Sequence, residues 1–245
     1  MPKTNFKARL YITDPLSIDA RLTISGNQSH YLRNVLRLQN GEQIALYNGR
    51  DGEWLSEIKL INKKNIEVKI QENIRSQEIS ADIWLAFAPI KKARIDYLAQ
   101  KATELGATVM WPVFTRYTMV SRLNLDRLRA NAVEASEQSG RLCVPEIRSP
   151  AKFEKFLKDW PSQRTLFCLD ETGGGIPIID AFKSCKKESS GLFIGPEGGF
   201  TNEELDQVEK LGNVFRISLG KRILRSDTAA LAALACWQAM LGDWC

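Results

Sequence analysis

Two short apolar runs late in this chain each stop in a glycine turn, and each leads into a segment with helical character. Leu192-Phe193-Ile194 runs into Gly195-Pro196-Glu197-Gly198-Gly199, and Val214-Phe215-Arg216-Ile217 runs into Leu219-Gly220-Lys221-Arg222-Ile223-Leu224-Arg225. Strands that end on glycine and hand over to helices belong to α/β architectures. Such turns also bring backbone N–H and C=O groups close to a ligand, because no Cβ holds it away. One turn alone is an ordinary strand-to-helix connection. Two of them, one helix apart, can form two walls of one pocket.

The chain before these turns changes character once. Residues 1 to about 72 are β-rich, with alternation in Arg9-Leu10-Tyr11-Ile12, in Gln43 to Tyr47 and in Asn65 to Ile70. Asn40-Gly41, Asn48-Gly49 and Asp51-Gly52 punctuate them as turns, the pattern of a small barrel. A helical insert over His30–Leu38 places Leu32, Val35 and Leu36 on one face and His30, Arg33 and Arg37 on the other. That basic stripe is either a phosphate contact or a solvated face. A polar stretch from Gln71 to Ser80 follows, and then strands alternate with helices to the end. Strands are expected at 82–88, 108–114, 165–169, 191–194 and 214–217, with helices over 91–105, 125–139 and 229–241. Thr201 and Glu204 fit a capping box and Phe200 with Leu205 a hydrophobic staple. Ser226 reads as an N-cap.

Composition excludes several chemistries. The single histidine, His30, lies in the β-rich part, so the rest of the chain lacks the commonest general base. Ser-His-Asp hydrolysis and histidine-ligated metals are excluded there. The five cysteines are scattered with no Cys-x-x-Cys pair, so no metal site is expected. The net charge of +5 is spread through the chain and tolerates an anionic partner without demanding one. The apolar stretch 229–241 is too short to span a membrane, and Met1-Pro2-Lys3-Thr4 has no apolar leader core, so a cytoplasmic protein is expected.

The glycine turns discriminate among ligands. A triphosphate site wants Gly-Lys-Ser/Thr, whereas here the loop carries the anion Glu197. A dinucleotide site wants Gly-x-Gly-x-x-Gly early in a βαβ unit, which is absent. A ligand combining an adenosine with a cationic centre, such as S-adenosylmethionine, tolerates the carboxylate.

Ile194-Gly195-Pro196-Glu197-Gly198-Gly199-Phe200-Thr201, together with Leu219 to Ala229, resembles the signature of the SPOUT methyltransferases. More narrowly it is similar to the RsmE-type family, which methylates N3 of a uridine in 16S ribosomal RNA. His30 to Arg37, Asp96 to Gly106 and Glu134 to Arg141 resemble further motifs of that family, in order, so the likeness spans nearly the whole chain. The resemblance implies an α/β SPOUT domain with a trefoil knot over 81–245, a linker at 73–80 and a PUA-like RNA-binding barrel over 1–72. It also implies a homodimer, S-adenosylmethionine as cofactor, no metal, and 16S ribosomal RNA or the small subunit as partner. Two alternatives stay open: a SPOUT enzyme with another target or ribose 2′-O chemistry, and a non-catalytic ribosome-assembly protein.

By the same similarity, the cofactor is expected against Leu169, then Ile194, Gly195, Pro196, Glu197, Gly198 and Gly199. The opposite wall is expected from Leu219, Gly220, Ile223, Leu224, Arg225 and Thr228. Attack by N3 requires loss of its proton, and without histidine a carboxylate or an oriented water must take it. The candidates are Glu197 and Asp227, the latter standing where the family usually has Glu. Arg222 and Arg225 are candidates to stabilise the uracil anion. His30, Arg33, Arg37 and Arg141 are the expected RNA contacts, Arg141 closing a polar stripe with Asn131, Glu134 and Gln138.

Overall fold

The computed structural model describes residues 6–185 and 189–244. The N-terminal residues on which the missing leader was read lie outside them. The chain divides into two compact units: residues through Ile79 with Ser136–Val144, and residues 80–135 with the chain from Pro145 onward. The first unit therefore runs past residue 72, through a strand that continues to Arg75, and the segment 136–144 groups with it rather than with 81–245.

The first unit is a five-stranded sheet: β1 (Arg9–Tyr11), β2 (Arg21–Ile24), β3 (Gln43–Tyr47), β4 (Glu53–Ile61) and β5 (Ile66–Arg75), in the order β1-β3-β4-β5-β2. Pairing is antiparallel except between β1 and β3. Leu10, Ile44, Leu46, Ile58, Val68 and Ile70 alternate onto one face and form its core. Register shifts against β5 interrupt the alternation of β4, which hid that strand in the sequence.

The helical insert differs from its sequence pattern. Helix α1 (Gly26–His30) runs into a π-helical turn, Tyr31–Val35, and Arg37 ends it with φ at +54°. The wider turn rotates the register, so Leu32 is buried while Val35 faces solvent.

The second unit carries a parallel sheet: β6 (Ile83–Phe87), β7 (Val109–Phe114), β8 (Glu146–Ile147), β9 (Ala151–Lys152), β10 (Thr165–Leu169), β11 (Ile176–Pro177), β12 (Ser190–Ile194) and β13 (Val214–Ser218). The order is β11-β13-β10-β12-β6-β7-β8, with β9 also on β7. The helices are α2 (Lys92–Glu104), α3 (Leu125–Ser139, whose last turn from Ser136 belongs to the first unit), α4 (Phe153–Asp159), α5 (Ile178–Lys183), α6 (Asn202–Glu209) and α7 (Ser226–Met240). Strands buried on both faces read as unbroken apolar runs, as in Leu192-Phe193-Ile194. One face holds an aromatic cluster of Trp84, Trp111, Phe156, Trp160 and Phe193. Gly191 in β12 makes room for it: a Cβ there would meet Trp160 Cη2 at 2.3 Å. No helix among the described residues is long and apolar enough to cross a membrane.

Candidate active site

Strands β12, β10 and β13 lie side by side and parallel, so their C-terminal ends open on one edge. Ligands of parallel α/β sheets gather at that edge. A cavity occupies it, with walls from the segments that follow all three strands.

The loop after β12 contributes Ile194, Gly195, Pro196 and Gly199 to the lining. Gly199 has φ +68°, and its N–H donates to Pro196 O at 3.0 Å. A Cβ at Gly199 would fall 2.0 Å from Glu171 Oε1, so this glycine serves both conformation and space. The expected capping box is present: Thr201 accepts from Glu204 N at 3.1 Å, and Thr201 N donates to Glu204 Oε2 at 3.0 Å. Phe200 and Leu205 are buried in one cluster, completing the staple. The loop is therefore fixed from its helical side.

The loop after β13 contributes Leu219, Gly220, Lys221, Arg222, Ile223 and Leu224. Gly220, at φ +100°, makes the turn, and its N–H donates to Ser218 Oγ at 3.2 Å. Ile223 is 85% exposed, so core packing does not explain it, and burial against a ligand would cover apolar surface now facing water.

The third wall comes from the loop after β10, where sequence reasoning singled out only Leu169. Asp170, Glu171, Thr172 and Gly173 line the cavity as well. The signal was present: Gly173-Gly174-Gly175 is a further glycine run just after an apolar strand. Asp170 is buried, accepts Thr172 N at 2.8 Å and pairs with Arg216 Nη2 at 2.7 Å. Burial pushes its carboxyl up, but the Thr172 bonds and the Arg216 guanidinium outweigh that and hold it below the usual carboxylate range. Glu171 is exposed at the rim and, among the described residues, makes no ion pair.

Glu197, Gly198, Arg225, Asp227 and Thr228 lie outside the lining. Glu197 is half-exposed and pairs with Arg94 at 3.5 Å. Arg225 is the N-cap residue of α7, and its carbonyl accepts Ala229 N at 2.8 Å. The cap thus falls one residue before Ser226, because the chain leaves the extended conformation at Arg225 (ψ 151°). Asp227 sits in the first turn of α7, with Oδ1 buried and without a hydrogen-bond partner among the described residues. Arg222 is exposed at the cavity. No cluster of three metal-ligating side chains occurs among the described residues.

The first unit holds the four basic residues expected to meet RNA. His30 and Arg37 are exposed. Arg33 is not a free cation: it donates to Asn62 O at 2.9 Å and to Lys63 O, clasping the β4–β5 turn. Arg141 is half-buried, with its guanidinium 3.3 Å from Cys143 Sγ and its carbonyl accepting from Arg9. Around it the motif 136–141 builds structure. Arg9 also binds Ser136 O at 2.9 Å and pairs with Glu53, Tyr11 N donates to Glu137 Oε1 at 2.9 Å, and Tyr47 OH bonds Ser136 Oγ at 2.9 Å. In the second unit Asn131 donates to Asp96 Oδ1 at 3.0 Å, so the polar stripe is partly occupied.

A parallel α/β sheet with a three-walled glycine-loop cavity is the framework of an RNA methyltransferase domain, and that family matches residues 77–238. The RNA methyltransferase PUA domain matches residues 24–71. The chain belongs to the ribosomal RNA small subunit methyltransferase E family. A member from Rickettsia conorii is 34% identical over 97% of both chains, and one from Synechocystis is 33% identical over 95% of this chain and 78% of its own. The crystal structure of the Neisseria gonorrhoeae member bound to S-adenosyl methionine superposes with a TM-score of 0.88 at 29% identity, covering 97% of this chain and 99% of that one.

Proposed function

We propose that this protein transfers the methyl group of S-adenosylmethionine to N3 of a uridine in 16S ribosomal RNA, on the RNA or the small subunit. The observation that carries the reading is the cavity at the ends of β10, β12 and β13, whose counterpart family member was solved with that cofactor. The cavity fits such a ligand. Backbone groups around Gly195, Gly199 and Gly220 reach a heterocycle edge, Ile194, Leu219, Ile223 and Leu224 cover apolar faces, and Leu169 closes the floor. Pro196 lies in the first turn, and Gly198, Arg225 and Thr228 adjoin lining residues in sequence.

The bound cofactor supplies an electrophilic methyl group. The chain's own task is to take the N3 proton and stabilise the uracil anion that results. Glu197 accepts the proton: it is half-exposed beside the cavity, with Arg94 at 3.5 Å as its ion-pair partner. Arg222, exposed at the lining, offers its guanidinium to the anion. Asp227 is the second acceptor, on the strength of its donorless Oδ1.

The same reading makes the first unit a PUA-like barrel and the second a knotted SPOUT domain. The strand order, with β10 between β12 and β13, supports the knot. Arg33, Arg141 and the exposed His30 and Arg37 serve the RNA-facing side of the barrel, Arg33 by clasping the β4–β5 turn and Arg141 from a backbone that Arg9 holds. A homodimer is supported by α7. One face buries Ala230, Ala233, Leu234 and Trp237, while Leu231, Ala232, Ala235 and Met240 remain half-exposed. The protein acts in the cytoplasm, where ribosomal RNA is matured.

Titration calorimetry tests the cofactor step: S-adenosylmethionine is expected to give saturable heat. A non-catalytic RNA binder would give none, and would transfer no labelled methyl group to unmodified small subunits.

A further inference from the structure

The turn after β7 forms a second, shallow depression outside the cavity, lined by Arg116, Tyr117, Thr118, Met119 and Gly198. Tyr117 is 49% exposed and Met119 80%. The ring lies against the tip of the first glycine loop, and a Cβ at Gly198 would come 3.2 Å from Tyr117 Cβ. Tyr117 therefore stands beside Glu197 and one residue from the cavity-lining Gly199.

This turn is held firmly. Thr115 N donates to Thr118 Oγ1 at 2.9 Å, and Thr118 N donates to Thr115 O at 3.1 Å. Arg116 N donates to Glu204 Oε1 at 2.8 Å, while the other oxygen of that buried carboxylate closes the capping box of α6. One side chain thus fixes both the glycine loop and the aromatic turn. The Arg116 side chain is exposed and, among the described residues, makes no ion pair.

An exposed ring on a rigid turn, with a thioether and a guanidinium beside it, has the parts needed to hold an unpaired base and its phosphate. A protein partner would need a far larger apolar area than these two side chains offer. We propose that Tyr117 is the stacking surface for an unpaired base of the RNA adjoining the methylated nucleotide, with Met119 packed on the same base and Arg116 on a neighbouring phosphate. The proposal rests on the RNA methyltransferase reading above.

The test compares full-length wild type, Tyr117→Ala and Tyr117→Phe for binding to labelled, unmodified small-subunit ribosomal RNA, with S-adenosylmethionine affinity and thermal unfolding measured alongside. Loss of one base–aromatic stack predicts RNA binding weaker by about 5- to 150-fold in Tyr117→Ala. Tyr117→Phe, which keeps the ring, stays within about twofold of wild type, and cofactor affinity is unchanged in both. RNA binding by Tyr117→Ala equal to wild type would overturn the proposal, as would an equal loss in Tyr117→Phe. Failure of the wild type to methylate the subunit would count against the proposed function instead, and the binding comparison would still decide the role of Tyr117.

Discussion

The Glu171 carboxylate closes over Gly199: a Cβ at residue 199 would lie 2.0 Å from Glu171 Oε1. The contact joins the wall that sequence reasoning missed to the one it found. Gly199→Ala must turn the Glu171 side chain away and hold alanine at φ +68°, a strain of about 1–2 kcal/mol. Calorimetry is expected to show S-adenosylmethionine affinity reduced roughly tenfold, a difference of about 1.4 kcal/mol. Adding Glu171→Ala should recover part of it, and a double variant no better than the single would argue that only backbone strain matters.

Glu197→Gln removes the proposed proton acceptor without altering the cavity lining. Its kcat is expected to fall by about 10²- to 10⁴-fold, with cofactor affinity retained. Asp227→Asn, measured in the same assay, separates the two acceptors. If Asp227→Asn loses turnover while Glu197→Gln keeps it, the assignment reverses.

The Asp170–Arg216 pair has a pH signature. The folded Asp170 carboxyl is held below its ordinary value, so its contribution to stability is present above that ordinary value and is lost as pH falls through the folded one. Asp82, whose burial is outweighed by bonds from Arg164, Ser189 and Thr108, acts in the same direction. Denaturant unfolding from pH 7 downward should therefore show stability falling below about pH 4. Asp170→Asn should cost about 2 kcal/mol at pH 7 and flatten that acid slope.

Tyr47 is fully buried in the first unit, with its hydroxyl on Ser136 Oγ at 2.9 Å and Arg9 stacked 3.8 Å from its ring centre. Burial pushes its phenol up to about 12, so it stays protonated through the neutral range. Tyr47→Phe keeps the ring and loses one hydrogen bond, while Ser136 Oγ still donates to Cys143 O at 2.9 Å. Equilibrium unfolding should register a loss of about 1 kcal/mol. A loss above about 3 kcal/mol would mean that the hydroxyl organises the whole 136–144 segment.

Much of the second unit could be read directly from residues. Strand β10 and helix α3 fall at the expected limits, because unbroken apolar runs and a clean helical period have few competing solutions. The capping box of α6 was equally legible, since its bonds are local. Local reasoning failed where geometry departs from an ideal period. The π-helical turn at Tyr31–Val35 exposes Val35, and the bulges in β4 break its alternation. It also failed where a residue's partner is distant in sequence. Nothing near Glu171 announces Gly199, and nothing near Arg33 announces the carbonyls of Asn62 and Lys63. The motif around Ser136 and Arg141 was read for its polar stripe, while its hydrogen bonds go to Arg9, Tyr11 and Tyr47.

The central claim is the identity of the methylated atom, and one measurement addresses it directly. Unmodified small subunits are incubated with the protein and isotope-labelled S-adenosylmethionine, the 16S ribosomal RNA is digested, and the labelled nucleoside is identified by mass spectrometry. The account predicts a single labelled product, 3-methyluridine. Label recovered in a 2′-O-methyl nucleoside, with no 3-methyluridine, would contradict it.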